Sequence, residues 1–188
     1  MLPEKQIHPF PPLYDSASEV LILGSFPSVK SRQQCFYYGH PQNRFWRVIA
    51  ELFKSPVPVY IEEKRDLMLR NHVALWDSIA SCTITGSSDS SIRDVVPNDI
   101  GLILASAPIK IICCNGRASF DCYNKYILPR TGREARLLPS TSPANAAWST
   151  ERLVGAWGRD SYKIKCGAAA RRMIQLRIHS FFIIPLFP

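Results

Sequence analysis

Two stretches of the chain combine side chains that could bind a flat ring, water and phosphate. Residues 35–43 read CFYYGHPQN and place aromatic rings beside an asparagine, Asn43. Residues 140–146 read STSPANA and offer hydroxyl groups in a loop. Aromatic rings stack on planar groups, an amide oxygen accepts a hydrogen bond from water, and hydroxyls bind phosphate oxygens. These stretches are therefore the first places to search for a site.

Several widespread catalytic motifs are missing from the sequence. It contains no G-x-x-x-x-G-K-[ST] phosphate loop, no G-x-G-x-x-G dinucleotide fingerprint and no G-x-S-x-G nucleophile elbow. The six cysteines form no C-x-x-C pair, and the four histidines form no H-x-x-x-H pair. We therefore expect no zinc or iron–sulfur site.

Short apolar runs that alternate with amphipathic segments predict an α/β fold with a parallel sheet. Buried strands are expected at Val20–Leu23, Val73–Trp76, Ile109–Cys114 and Arg136–Leu138. Helices are expected at Arg44–Phe53, Ile61–Arg70, Asp99–Ala107 and Arg117–Ile127, and from about Thr150 onwards. Ligands of such sheets bind at the carboxyl ends of the strands, so the loops after the first, second and fourth strands should hold the chemistry.

The remaining segments fit neither pattern. Residues 1–18 and the loop 25–42 are predicted to be irregular, and the serine-rich segment Asp77–Pro97 is long enough to be a functional loop. Residues 1–162 are expected to form one domain. Residues 163–188 form a basic and apolar tail that we cannot assign to the sheet.

The charge of the chain is uneven along its length. Lysine and arginine total 23 against 15 acids, a net charge of +8. Six of these basic residues and one of the acids lie in residues 159–188. A basic balance is typical of proteins that bind nucleic acid, but here most of the surplus lies in the tail. The net charge is therefore weak support for DNA binding by residues 1–158.

The sequence also indicates where the protein acts. The first residues do not form a signal peptide, and the apolar run Phe181–Phe187 is too short for a membrane span. The adjacent Cys113 and Cys114 lie in a predicted buried strand, and free buried thiols suit a reducing compartment. We expect a cytoplasmic protein, or a nuclear one in a eukaryote, without a membrane partner.

Three segments together resemble the uracil-DNA glycosylase superfamily. They are Gly24–Ser28, His40–Trp46 and Ser140–Ala146, and the resemblance covers residues 18–158. The nearest branches are the mismatch-specific enzymes and the hypoxanthine-DNA (deoxyinosine) glycosylases. The resemblance implies a three-layer α/β/α sandwich around a four-stranded, mainly parallel sheet. It also implies a monomeric enzyme that removes a damaged base from DNA without a metal ion or an organic cofactor.

Asn43 is the catalytic residue that the resemblance implies. In the deoxyinosine branch, the asparagine of the H-P-Q-N string positions the attacking water, and Asn43 holds that place here. The mismatch-specific branch uses an asparagine at the position of Phe26, and phenylalanine cannot orient water. From spacing alone, the preferred interpretation of Asn43 is an N-cap of the helix Arg44–Phe53, and one residue could serve both roles.

The resemblance places the base-binding residues in the first loop and at the end of the second strand. Gly24, Ser25 and Phe26 would line the base pocket, and Phe36 would stack on the base. Asp77 would read the base edge, where its acceptor-only carboxylate suits the N–H of a purine. Ordinary loop packing of Phe36 and a capping or surface role of Asp77 are the alternatives.

The other rings near Phe36 are expected to lie in the core rather than in the pocket. They are Tyr37, Tyr38, Phe45 and Trp46. His40 could donate to a phosphate, but a locally bonded loop histidine is the preferred interpretation.

By the same resemblance, the loop after the fourth strand would grip DNA. Its phosphate-binding residues would be Ser140, Thr141, Ser142 and Pro143. The histidine that uracil-specific enzymes carry in this loop is absent. Asn145 and Trp148 are candidates for a wedge in the duplex, although anchoring of the last helix is the preferred interpretation of Trp148.

The resulting hypothesis is a monofunctional DNA glycosylase for a deaminated base, with hypoxanthine favoured and uracil as the second choice. It would hydrolyse the N-glycosidic bond of a flipped nucleotide and leave an abasic site for base excision repair. The alternative is a DNA module that binds lesions with weak or no turnover, because Phe26 and the missing histidine depart from the catalytic pattern.

Overall fold

The structure, a computed structural model, describes residues 2–158. These residues contain seven strands and seven α-helices. In chain order the strands are β1 (Glu4–Ile7), β2 (Val20–Gly24), β3 (Val73–Asp77), β4 (Ile79–Ile84), β5 (Arg93–Pro97), β6 (Ile111–Asn115) and β7 (Ala135–Leu138). The helices are α1 (Val29–Gln34), α2 (Phe45–Leu52), α3 (Ile61–Leu69), α4 (Gly101–Ser106), α5 (Arg117–Cys122), α6 (Leu128–Thr131) and α7 (150–158). A 3-10 turn spans Asp89–Ser91, and a π-helical segment, Tyr123–Ile127, joins α5 to α6.

The central sheet is parallel and has the order β3-β2-β6-β7. Every residue of β2 and β3 is buried, which explains why both strands are near-continuous apolar runs. The sheet is flanked by helices, and α2 buries six of its eight residues. The predicted α/β architecture, a sandwich around a four-stranded parallel sheet, is confirmed.

The strand order places a crevice at one edge of this sheet. From β2 the chain continues to β3 on one side, and it later returns to β6 on the other side. The order therefore reverses between β2 and β6, and the carboxyl ends of strands at such a reversal are where ligands bind in open α/β sheets.

A second sheet was missing from the sequence prediction. It is antiparallel, with the order β1-β4-β5, and β4 starts only two residues after β3 ends. The expectation of irregular residues 1–18 was therefore wrong for Glu4–Ile7, and the segment Asp77–Pro97, which was predicted to be a functional loop, contains β4 and β5. The physical reason is that β1 and β5 are largely exposed and polar, so they lack the apolar run that marks a buried strand.

The predicted helices are present, with shifts at their ends. The expected Asp99–Ala107 helix is reduced to Gly101–Ser106, and the expected Arg117–Ile127 helix is α until Cys122 and π thereafter. The loop 25–42 contains one helix that was not predicted, α1, whose first turn is capped by the Ser28 hydroxyl accepting from the Ser31 amide at 3.2 Å.

Predictions were also made for the C-terminal tail and for membrane spans. The tail 163–188, and with it most of the basic surplus in residues 159–188, lies outside the described residues. Within residues 2–158, no helix is long and apolar enough to cross a membrane.

Candidate active site

The carboxyl ends of the parallel strands open into one cleft. Gly24 ends β2, Asp77 ends β3 and Asn115 ends β6, and all three line it. The wall beyond β7 is the loop of residues 140–148, which we call the serine loop. The remaining lining residues are Ser25, Phe26, Pro27, Ser28, Ser31, Tyr37, Tyr38, Asn43, Ser87, Asp89, Ser140, Thr141 and Ser142. Most of the residues predicted to form a site are thus brought together.

Asn43 lies in this cleft directly before α2. Its Oδ1 accepts a hydrogen bond from the Phe45 backbone amide at 3.0 Å, so the side chain caps the first amide of α2 from the residue before the N-cap, Arg44. A carbonyl oxygen has a second lone pair, and the side chain is half-buried at the cleft wall. The capping bond therefore fixes the amide in place while leaving capacity to hold a water molecule.

Asn115 and Thr141 tie the serine loop to the sheet. The Asn115 side chain donates to the Thr141 hydroxyl at 2.9 Å and accepts from the Thr141 amide at 3.0 Å. Thr141 is fully buried, so its hydroxyl serves the loop rather than the surface. Ser140 and Ser142 are half-buried and line the cleft, whereas Pro143 is exposed and lies outside the cleft lining. Two of the four predicted phosphate-binding residues thus present hydroxyls to the cleft.

Arg44 joins the Asn43 segment to the serine loop. Its Nε donates to the Thr141 carbonyl at 3.3 Å, and its Nη2 donates to the Asn145 carbonyl at 3.1 Å. The same guanidinium also donates to the carbonyls of Ser142 and Trp148. Because guanidinium offers five N–H donors in a rigid plane, one side chain can hold four carbonyls of a loop. Arg44 was not predicted as a site residue.

Asp77 is held by a residue that sequence reasoning missed. Its Oδ2 lies 2.8 Å from Nε2 of His8, and both side chains are almost completely buried. Since 69 residues separate the two, no spacing rule could have paired them. The alternatives of a capping or surface role for Asp77 do not fit a residue that is 5% exposed.

Gly24 leaves room for this carboxylate. A Cβ at position 24 would sit 2.1 Å from Asp77 Oδ1 and 3.3 Å from the Tyr38 hydroxyl. No side chain fits at such distances, so glycine is needed for the close approach of β2 to Asp77. The floor of the cleft is therefore bare backbone beside a carboxylate oxygen.

The aromatic wall differs from the prediction. Phe36 is not in the cleft: its ring stacks on Trp46 with centroids 6.1 Å apart, inside the core. The rings that line the cleft are Phe26, Tyr37 and Tyr38. Of the rings expected in the core, Tyr37, Phe45 and Trp46 are buried in it, and the half-buried Tyr38 packs against it. The reason is the end of α1, where Cys35 and Tyr38 adopt positive φ and turn successive side chains to unexpected sides.

Asp89 is a second carboxylate at the cleft, and it too was not predicted. It comes from the 3-10 turn between β4 and β5, and its Oδ1 accepts from the Ser25 hydroxyl at 2.9 Å. Burial raises the pKa of Asp89, the Asp77 charge raises it further, and the Ser25 hydrogen bond opposes both. The signal in the sequence was the serine-rich segment itself, which we expected to be functional.

The two wedge candidates are directed into the protein. The Asn145 side chain donates to the Ser140 carbonyl at 2.9 Å, which braces the serine loop. Trp148 is half-buried against the core, with the Arg152 guanidinium 5.1 Å from its ring centroid. A wedge role for either residue stays a prediction, and the anchoring interpretation of Trp148 agrees with its packing.

Between residues 2 and 158 no group of three or more histidine, cysteine, aspartate or glutamate side chains is arranged to hold a metal ion.

Comparisons with known proteins agree with this geometry. The family model described as the uracil DNA glycosylase superfamily matches residues 11–166. A curated hypoxanthine DNA glycosylase from Methanosarcina acetivorans is 35% identical over 145 residues, which are 76% of this chain and 90% of that protein. One from Methanosarcina barkeri is 33% identical over 138 residues, 72% and 86% of the two chains. The solution NMR structure of a candidate uracil DNA glycosylase from M. acetivorans has a TM-score of 0.67 and 33% identity, covering 80% of this chain and 95% of its own.

Proposed function

Because the chain belongs to the uracil DNA glycosylase superfamily, we propose that it is a monofunctional DNA glycosylase that removes hypoxanthine from DNA. The product would be an abasic site for base excision repair. The observation that carries the proposal is the meeting of Asn43, Asp77 and the serine loop in one cleft. The two relatives that are 33–35% identical to this chain are both described as hypoxanthine DNA glycosylases, which supports the choice of base.

The cleft suits a nucleotide that has left the stack. The glycosidic bond of a paired base is inaccessible, so the enzyme must take the nucleotide out of the duplex. Rings of Phe26, Tyr37 and Tyr38 line the cleft and can cover the faces of a purine. The serine loop forms the opposite wall, where the hydroxyls of Ser140 and Ser142 can donate to phosphates that flank the flipped sugar.

Asn43 would position the water that replaces the base. As the bond from C1′ to the base nitrogen breaks, its electron pair leaves with the base and positive charge develops on the sugar. The water oxygen then bonds to C1′ and its proton passes to solvent. An amide is no base, so Asn43 acts by holding the water oxygen in line, and the rate enhancement comes mostly from positioning and electrostatics.

Two groups at the cleft floor match the edge of hypoxanthine. This base has an N–H at N1 and a carbonyl at C6, whereas adenine has a lone pair at N1 and an amino group at C6. The Asp77 carboxylate can accept from N1–H. The Tyr38 hydroxyl is buried without a hydrogen-bond partner among residues 2–158, so it is free to donate to a bound base. Uracil also has an N–H beside a carbonyl, which keeps it as the second substrate.

The chemistry would end with hydrolysis rather than strand cleavage. No lysine lines the cleft among the described residues, and the nearby Lys30 is exposed on α1. A Schiff base with the sugar needs such an amine.

The deciding experiment incubates the full chain with duplexes that carry inosine, uracil, xanthine or ethenocytosine, followed by alkali. We expect strand breaks after alkali treatment at inosine, fewer at uracil and none in a matched adenine duplex, and unchanged activity in EDTA. If no duplex is cut, the proposed function is wrong. Tight binding of the inosine duplex without an abasic product would establish the lesion-binding alternative instead.

A further inference from the structure

His8 and Asp77 form a buried pair beside the cleft. Nε2 of His8 lies 2.8 Å from Oδ2 of Asp77, and the two side chains are 4% and 7% exposed. His8 follows β1, and its backbone amide donates to the Ala80 carbonyl on β4 at 2.8 Å. The antiparallel sheet therefore carries the imidazole to the end of β3.

The surroundings of His8 do not favour a role in stability. Its ring packs edge-on against Phe10, with centroids 4.5 Å apart, and against Phe26 at 6.1 Å. Its Nδ1 is buried and has no hydrogen-bond partner among residues 2–158. A buried polar atom without a partner opposes folding. What this position provides is a single hydrogen bond to Asp77.

Asp77 has one oxygen bound to His8 and another beside Gly24. An added Cβ on Gly24 would be 2.1 Å from Oδ1, so this oxygen lies against the end of β2 at the cleft. An ionised carboxylate oxygen accepts hydrogen bonds and donates none. With Oδ2 fixed, the carboxylate cannot rotate away from the cleft without breaking its bond to His8.

The other titratable groups that face Asp77 do not supply a positive charge. Tyr37 and Tyr38 come from the turn after α1, and Asp89 comes from the 3-10 turn. Burial raises the pKa of all three, and the Asp77 charge raises each further. Both tyrosines therefore keep their protons at neutral pH. Among the described side chains, His8 is the one that shares a hydrogen bond with the Asp77 carboxylate.

We propose that His8 is a positioning residue that makes Asp77 selective for the deaminated purine. By donating Nε2–H to Oδ2, His8 fixes the orientation of the carboxylate and directs Oδ1 at N1–H of hypoxanthine. The same oxygen repels the N1 lone pair of adenine. This inference rests on the proposed function.

Removal of the imidazole should weaken that preference. Without its partner on Oδ2, the carboxylate can turn, and Oδ1 then no longer faces N1–H of hypoxanthine. Excision of a base with a lone pair at N1 gains nothing from the fixed orientation, so it should change less.

The test compares two bases in single-turnover excision by the full chain. One duplex carries inosine, and the other carries deoxynebularine, whose purine has a lone pair at N1 and no carbonyl. In His8→Leu, the ratio of the inosine rate to the nebularine rate should fall by about tenfold or more, the size of one lost charged hydrogen bond. His8→Gln can still donate from an amide nitrogen, and it should restore the ratio to within about threefold of wild type.

His72→Gln is the matched control. The Nδ1 of His72 is also buried without a partner, but this residue lies before β3, at the end of the strand away from the cleft. Its ratio should equal that of wild type. Circular dichroism checks the fold of each variant. If His8→Leu does not fold, Asp77→Asn replaces it, because an amide that presents N–H to N1–H should also lower the ratio.

The outcomes separate the two proposals. A wild-type ratio in a folded His8→Leu, or in Asp77→Asn, overturns the role of His8. An equal fall in His72→Gln shows a general structural effect and also overturns it. A wild-type enzyme that leaves the inosine duplex intact overturns the proposed function instead.

Discussion

The two sheets contribute to one cleft but differ in burial. Every residue of β2 and β3 in the parallel sheet is buried, whereas β1 and β5 in the antiparallel sheet are mostly exposed. The parallel sheet supplies Gly24 and Asn115 at fixed backbone positions. The antiparallel side supplies His8 directly after β1 and Asp89 between β4 and β5.

This difference separates two parts of the site: the frame, which is Gly24 and Asn115 in the parallel sheet, and the antiparallel wall, which is His8 and Asp89. Strands that are buried on both faces open only with the whole domain, while exposed strands open at lower free energy. Gly24 and Asn115 thus lie at the ends of the most deeply buried strands. His8 and Asp89 lie beside strands that open at lower free energy, and Asp77 links the two parts because it ends β3 and bonds His8.

Truncation of one residue in each sheet, a buried one in β2 and an exposed one in β5, should give the largest difference. Leu21 in β2 is fully buried, and Leu21→Ala should lower the free energy of unfolding by about 2–5 kcal/mol. Val96 in β5 is 53% exposed, and Val96→Ala should cost about 0.5 kcal/mol or less. Urea denaturation of both variants measures the difference. Equal losses would contradict a division into a rigid sheet and an adaptable one.

Removal of the Asn43 amide should affect chemistry more than folding. Asn43→Ala should slow single-turnover excision by about 100-fold, because the positioned water is lost. It should also cost about 1 kcal/mol of stability, since the cap on Phe45 is lost. Asn43→Asp is the matched control, because a carboxylate keeps the cap and can still hold water. If Asn43→Ala cuts at the wild-type rate, Asn43 is a cap alone.

The parallel sheet and the loops that follow its strands could be predicted from the sequence, whereas the antiparallel sheet could not, for a physical reason. Apolar runs such as Val20–Leu23 predict a buried strand without further information. The loops that follow such parallel strands must meet at one edge of the sheet. Asn43 and the serine loop could therefore be placed from spacing and family resemblance. The antiparallel strands carry polar residues on exposed faces, so their pattern resembles that of a loop.

The errors at single residues have two physical causes, long-range strand pairing and unusual backbone turns. His8 meets Asp77 only through the pairing of β1 with β4, which no short-range pattern encodes. Phe36 and Tyr38 are two positions apart, and positive φ at Cys35 and Tyr38 decides which ring faces the cleft. Backbone turns of this kind at residues other than glycine are rare, so sequence reasoning does not expect them.

Replacement of Arg44 by lysine should have a smaller effect than the loss of the Asn43 amide. Arg44→Lys keeps the charge but cannot reach four carbonyls of the serine loop at once. Stability should fall by about 2 kcal/mol and excision should slow, because the loop no longer holds its place beside Asn43. Arg47→Lys is the control, since Arg47 is exposed on α2 and outside the cleft. Equal behaviour of the two variants would show that the clamp has no role.

The smallest effect concerns two buried thiols, one in each sheet. Burial raises the pKa of Cys82 in β4 to about 11 and that of Cys114 in β6 to about 12, from an ordinary value of 9.0. Both thiols stay protonated when the protein is folded, so their contribution to stability is complete below pH 9 and is lost as the pH rises through these values. The free energy of unfolding should therefore decline above pH 9.

Alkylation of the native protein at pH 8 measures the same thiols one by one. Cys35 is exposed and should react at once, whereas Cys82 and Cys114 must wait for local opening. Cys82 should react several-fold sooner than Cys114, because the antiparallel sheet opens at lower free energy. Peptide mass spectrometry against time reports both rates. If Cys114 reacts as fast as Cys82, the two sheets open together, and the antiparallel wall opens no more easily than the frame.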